Sequence, residues 1–211
     1  MVTLRARLMI SLTLSVAAIS LAQAQIEQKT PSEVVRERAL ENRLSKDPYW
    51  DGFALKESGD CQTAIELLRP IARRGLGYED AQVALAECLL VEAGIDDLAG
   101  DASRGQAIAP SKPSPFNEAL EFLLIAANAG NYKAQAIFVE LHATKAAPNS
   151  TPIEAAKWAH LYLTNPQRLT LGAPSNIAPV IDYLQASMSR DDWLSGKEMA
   201  RLWVPSFKTP Q

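Results

Sequence analysis

Cys61 and Cys88 are the only cysteines among the 211 residues, and they carry the most definite chemistry in the chain. Their midpoint falls at Arg74–Gly75, where a glycine ends one apolar-periodic stretch just before the next begins. In two antiparallel helices joined at that point, residues equidistant from the turn stand at one level. An even cysteine count in an oxidising compartment favours a disulfide, and closing a loop of this size contributes about 3–4 kcal/mol in the chain-entropy view. The alternatives are two buried thiols or a redox pair. The 26 intervening residues speak against a C-x-x-C redox site.

The other reactive side chains form no set. The histidines, His142 and His160, lie too far apart for a helical metal pair, and no cysteine remains to complete a zinc site. Both read as ordinary helix-surface or hairpin-end residues. Neither a Gly-x-Ser-x-Gly elbow nor a Ser-x-x-Lys pair is present, and no glycine-rich phosphate loop. Asp96, Asp97 and Asp101 are acidic enough to attract a cation but lack the ligand ladder and closing glutamate of an EF-hand, so a solvated loop is the better reading. The expectation is no catalytic set, no metal and no cofactor.

The elements that position these residues follow from periodicity. A phrase is written twice, 55 residues apart: Ala64-Ile65-Glu66-Leu67-Leu68 through Ala72 to Gly75, and Ala119-Leu120-Glu121-Phe122-Leu123 through Ala127 to Gly130. Each glycine is soon followed by Ala-Gln, at Ala81-Gln82 and Ala134-Gln135. A repeat of this period marks stacked helical hairpins. Apolar spacing predicts helices over about 48–58, 61–74, 80–92, 115–129, 131–143, 151–164, 176–188 and 189–203, and no segment alternates like a strand. Trp50, Phe53, Ala54 and Leu55 are expected on the apolar face of the first of these, and Pro70 is expected to kink or loosen the second. Residues 94–114, rich in Gly and Pro, read as an inserted loop of about twenty residues with room for one short turn, mobile or functional, and 204–211 as a fraying tail.

Residues 1–24 read as a secretory signal peptide: Arg5 and Arg7, an apolar run over Leu8–Leu21, and the small-x-small site Ala22-Gln23-Ala24, with cleavage between Ala24 and Gln25. The run is short for a membrane span, so no span is expected after cleavage. Residues 25–47 read as a tether and a mostly charged helix. The formal charge is −3 for the whole chain. With Arg5 and Arg7 removed, 19 basic and 24 acidic residues leave −5, and no basic patch suggests a nucleic-acid partner.

In their order, Gly59-Asp60, Ala64, Leu68, Ala72, Gly75 and Ala81-Gln82, then Ala119, Leu123, Ala126-Ala127, Gly130 and Ala134-Gln135, then Glu154-Ala155, Trp158 and Leu161 resemble the Sel1-like repeat family, a branch of the tetratricopeptide-like proteins. Met188-Ser189, Trp193, Ala200-Arg201 and Trp203 resemble the C-terminal cap of exported members. The likeness covers residues 48–203. It departs at Ala86 and Val139, where the family has a glycine, in the 94–114 insert, and in a third unit without clear Gly and Ala-Gln. What the resemblance implies is an all-α solenoid of antiparallel hairpins in a right-handed superhelix, with a groove that contacts proteins. The expected groove is lined by the first helices of the hairpins, around Glu118, Glu121, Lys157 and Tyr162, with Tyr132 and Tyr162 as exposed contacts. Trp158 and Trp203 are expected to pack inside. The functional expectation is a periplasmic scaffold or regulatory adaptor, not an enzyme, whose partner is another envelope protein or peptide. The alternatives are a cell-envelope enzyme (a cell-wall hydrolase or penicillin-recognising protein) and a purely structural accessory.

Overall fold

Asp47 and Pro48 set the first boundary: the Asp47 side chain accepts from the Tyr49 amide (3.0 Å) and Pro48 opens the helix, where a missing N–H costs nothing. The computed structural model describes residues 47–208, and those residues are helical with no strand. The signal peptide, its Ala24–Gln25 cleavage site and the 25–46 tether lie outside the described residues. The helices are α1 (Pro48–Glu57), α2 (Cys61–Ala72), α3 (Glu79–Glu92), α4 (Leu98–Ser103), α5 (Pro113–Asn128), α6 (Tyr132–Ala143), α7 (Pro152–Leu163), α8 (Pro166–Thr170), α9 (Ala178–Ser187) and α10 (Arg190–Arg201).

Side-chain caps start most of them. Asp60 accepts from the amide and hydroxyl of Thr63, Asn131 from the amides of Lys133 and Ala134, Thr151 from Glu154, and Ser189 from Asp192. Pro70 does not end α2, which runs two residues past it to Ala72. The hairpin turns rest on Gly75 (φ 87°) and Gly130 (φ 97°), in the left-handed region that a Cβ disfavours.

Helices α1 and α2 pack together, as do α2 with α3, α3 with α5, α5 with α6, and α6 with α7; α10 closes on α7, while α4 and α9 pack on α6 and on each other. The contact surfaces are alanine-rich: Ala64, Ala72, Ala81, Ala84, Ala119, Ala126, Ala127, Ala134, Ala155, Ala156 and Ala159 are all buried. Small side chains let the helix axes approach, and the leucines Leu68, Leu85, Leu89, Leu123 and Leu141 fill the space between them.

The repeated Ala-Gln has a structural purpose. Gln82 Nε2 donates to the Ala72 carbonyl (3.1 Å) and the Gly75 carbonyl (3.4 Å), at the end of α2. Gln135 Nε2 donates to the Ala127 carbonyl (3.3 Å), the equivalent position at the end of α5. Each glutamine adds a side-chain donor to a last-turn carbonyl that also accepts from an amide of the turn, Gly75 on Ala72 (3.4 Å) and Gly130 on Ala127 (3.1 Å), and so ties the next helix to that turn.

Three expectations are corrected here. Trp50 is 64% exposed and Ala54 is exposed too, because α1 meets α2 through Asp51, Gly52 and Leu55; the missing side chain of Gly52 admits Leu68. The 94–114 insert is no open loop. It contains α4, its Ser111 amide and hydroxyl both bond the Ala93 carbonyl (2.8 Å each), and its Ile108 amide bonds the Thr144 carbonyl (3.1 Å). The tail does not simply fray after Val204, since the Ser206 amide bonds the Asn128 carbonyl (2.7 Å).

Candidate binding cleft

The Cys61–Cys88 disulfide joins the first residue of α2 to a residue four positions before the end of α3, with Cα atoms 5.0 Å apart. Cys88 is fully buried. The bridge closes the open end of the hairpin whose other end is the Gly75 turn.

A cleft of about 400 Å³ opens where α5, α6 and α7 meet the loop between α6 and α7. Leu120 and Leu124, one turn apart on α5, form one wall; Phe138 and His142, one turn apart on α6, form the back; Ala147, Pro148 and Asn149 of the loop and Glu154, Lys157 and Trp158 of α7 complete it. Phe138 stacks on Trp158 (centroids 4.8 Å, planes 18° apart), and Lys157 Nζ lies over the same indole at 4.8 Å. Lys157 also pairs with Glu154 (2.5 Å), its neighbour one turn back. The lining residues of this cleft include no hydroxyl or thiol; the hydroxyls of Ser150, Thr151, Tyr183 and Ser187 line a second cleft that His142 also borders.

His142 is only 8% exposed, and its Nδ1 is shut off from solvent with no hydrogen-bond partner. Burial pushes its pKa down to about 4; Glu154 opposes the shift and Lys157 adds to it. The ring is therefore neutral at neutral pH. His142 also lines a second cleft, of about 280 Å³, between the start of α7 and Tyr183, Leu184 and Met188. Of the two expected places, the helix surface is corrected, because α6 has neighbours on several sides and few of its positions face water; the end of a hairpin stands, His142 being the penultimate residue of α6. His160 is half-buried against Trp193 (centroids 4.4 Å).

Of the expected groove residues, Lys157 lies in the cleft. Glu118 is held by Arg69 through two bonds, 2.7 Å to Nε and 3.0 Å to Nη2, which tie α5 to α2. Glu121 is exposed on α5, and Tyr132 is half-buried in the first turn of α6. Tyr162 is not an exposed contact. It is fully buried, its hydroxyl bonds Asn176 Oδ1 (3.0 Å) and the Pro174 carbonyl (3.4 Å), and Arg168 lies over its ring at 4.9 Å. The 165–177 connection folds back over that face of α7, and the stretch gives no periodic sign of doing so. Trp158 is buried, and Trp203 is half-buried. Asp97 and Asp101 are partners of Arg104 (3.4 and 2.7 Å). Among the described residues no group of three or more His, Cys, Asp or Glu stands in a metal-binding arrangement.

Sequence reasoning missed Leu124, His142 and the 147–149 loop as cleft residues. One sign was available: Leu124 lies off the apolar stripe of its helix and is 46% exposed.

No protein-family model, no curated protein and no solved structure matches the chain. The resemblance to Sel1-like repeats therefore rests on the residues quoted above.

Proposed function

We propose that this protein is an exported, disulfide-braced array of stacked helical hairpins of the Sel1-like kind, and that it works by binding another polypeptide of the cell envelope as a scaffold or adaptor. The observation that carries this is the α5–α6–α7 cleft: apolar walls, one ion pair at its side and no hydroxyl or thiol in its lining, an arrangement suited to holding a side chain. Supporting the stacked arrangement, successive helices pack pairwise along the chain and the same glutamine-to-carbonyl bond recurs in both hairpins. The disulfide is compatible with export, and no described helix is long and apolar enough to cross a membrane.

The test is in-cell crosslinking from a photo-reactive residue at position 124, on the cleft rim, and at position 92, exposed on α3 and outside the cleft lining. A discrete partner captured from 124 and not from 92 is the expected result. Identical capture from both positions, or none from either, refutes binding at the cleft.

A further inference from the structure

The lining of the cleft narrows what it can hold. Its formal charges cancel: Lys157 and Glu154 are paired with each other, and His142 is neutral at neutral pH. A charged group entering there would lose its water without gaining an unpaired counter-charge. An aromatic guest is also poorly served, since the Trp158 indole already has Phe138 stacked on it and Lys157 over it. The rest of the apolar lining is Leu120, Leu124, Phe138, Ala147 and Pro148, and it bounds a slot whose methyl-bearing side is formed by the two leucines.

The wall formed by the loop is fixed. Lys145 (φ 59°) and Asn149 (φ 55°) are the two non-glycine residues with positive φ among the described residues, and both belong to this connection. Lys145 caps the end of α6, its amide bonding the His142 carbonyl (3.1 Å) and the Ala146 amide bonding the Leu141 carbonyl (2.9 Å), which fixes where the loop leaves the helix. Ala147, between them, is buried and its amide bonds the Leu141 carbonyl (3.1 Å), so the slot is preformed. At about 400 Å³ it exceeds one side chain and accommodates that side chain with its flanking backbone.

We infer that the cleft is a receptor for one branched aliphatic side chain, leucine-like, presented by an uncharged stretch of the partner polypeptide. The Lys157–Glu154 pair offers a donor and an acceptor to the backbone on either side of that residue. The inference rests on the polypeptide-binding function proposed above and names what that site recognises.

The experiment titrates the purified protein with the blocked pentapeptide acetyl-Gly-Ser-Leu-Ser-Gly-amide and with versions carrying Ala, Phe, Asp or Lys at the centre, following the Trp158 indole and His142 imidazole signals by NMR. Saturable shifts of both groups are expected with leucine, roughly tenfold or more tighter than with alanine from the buried methyl groups alone, and weaker with Phe, Asp and Lys. Leu124→Asp should abolish the shifts and Leu124→Met should keep them; position 124 is 46% exposed, so both variants fold. No saturation with leucine, or a tighter response to Asp, Lys or Phe, overturns the inference. A crosslinked partner at 124 together with a silent leucine titration refutes the aliphatic slot alone. A leucine response with no crosslinked partner upholds the aliphatic slot and refutes the capture of an envelope polypeptide there.

Discussion

Glu140 gives the sharpest test of the packing. It sits on α6 between Val139 and Leu141, is 7% exposed, and has its pKa raised from 4.5 to about 7, chiefly by burial and secondarily by the charge of Glu87. Glu87 itself is held by Lys56 (2.6 Å). Between pH 4.5 and about 7 the folded protein holds a proton on Glu140 that the unfolded chain has released. Unfolding therefore releases protons in this range, and stability falls as pH rises through it. Below 4.5 both states are protonated and the penalty vanishes; above about 7 it is complete. A rise from 4.5 to about 7, at about 1.4 kcal/mol per unit, corresponds to a penalty of about 3 kcal/mol at pH 8. Glu140→Gln keeps the shape and cannot ionise. Its stability relative to wild type should be near zero or slightly negative at pH 4.5 and should climb to a gain of about 2–3 kcal/mol at pH 8, the carboxamide's own burial setting the offset. Urea unfolding of both proteins at several pH values between 4 and 8 measures this. Two stability curves that run parallel across that range would mean the carboxyl ionises as it does in water, and the burial argument for α6 would be wrong.

Other outcomes follow from the same geometry. The His142 imidazole should stay neutral in an NMR titration until about pH 4; because the fold disfavours its charged form, the contribution tied to it should be intact above 6.5 and lost as pH falls toward 4. Reducing the Cys61–Cys88 bridge should lower stability by about 3–4 kcal/mol in denaturant titrations, and unchanged unfolding would show that the α2–α3 hairpin needs no brace. At position 196 on α10 a Cβ would run into Ala156 and the Lys157 backbone, so Gly196→Val should loosen α10, with faster amide exchange along α10 and little change in α2 and α3.

Much of this architecture was legible in the sequence. The doubled phrase gave both hairpins, and symmetry about Gly75 gave the cysteine pairing, because an antiparallel pair converts equal sequence distance into equal height. Thr151-Pro152-Ile153-Glu154 carried a start signal, a capping hydroxyl before a proline and a glutamate, and α7 begins there; the Asp60 cap of α2 reads in the sequence only as part of the Gly59-Asp60 turn. What failed did so for tertiary reasons. Trp50 belongs to an apolar pattern, yet a single glycine elsewhere on α1 offers α2 a closer approach and turns the tryptophan outward. Tyr162 reads as a surface residue of α7 until Pro174 and Asn176 fold over it. The cleft is assembled from three helices and a loop, and no local spacing reports that Leu124 on α5 and Lys157 on α7 line one space.

The contacts that link successive hairpins differ in a way that no repeat pattern shows. Between the second hairpin and α7 the link is amide chemistry out of water: Asn165 Nδ2 donates to Gln135 Oε1 (2.9 Å) and to the Gly130 carbonyl (2.8 Å), with Asn165 and Gln135 3% and 1% exposed. Between the first and second hairpins the equivalent asparagine, Asn131, donates to Asp80 (3.2 Å), and Gln82 Oε1 is left buried without a partner. Beside the packing of α3 on α5, the polar links of that joint are ion pairs, Arg69–Glu118 and Lys133–Asp80, whose side chains remain 26–49% exposed. Pairs of this exposure contribute about 1 kcal/mol or less each and weaken with salt, while an orphaned buried acceptor costs about 1–3 kcal/mol. In its polar links the first joint should therefore be the softer one, and salt should soften it with the second unaffected. The disulfide lies within the hairpin on the weak side of that joint, so it keeps α2 and α3 together when their contact with α5 gives way. Amide exchange at low and high salt separates the joints directly: earlier opening at the α6–α7 contact than at α3–α5 would reverse the assignment.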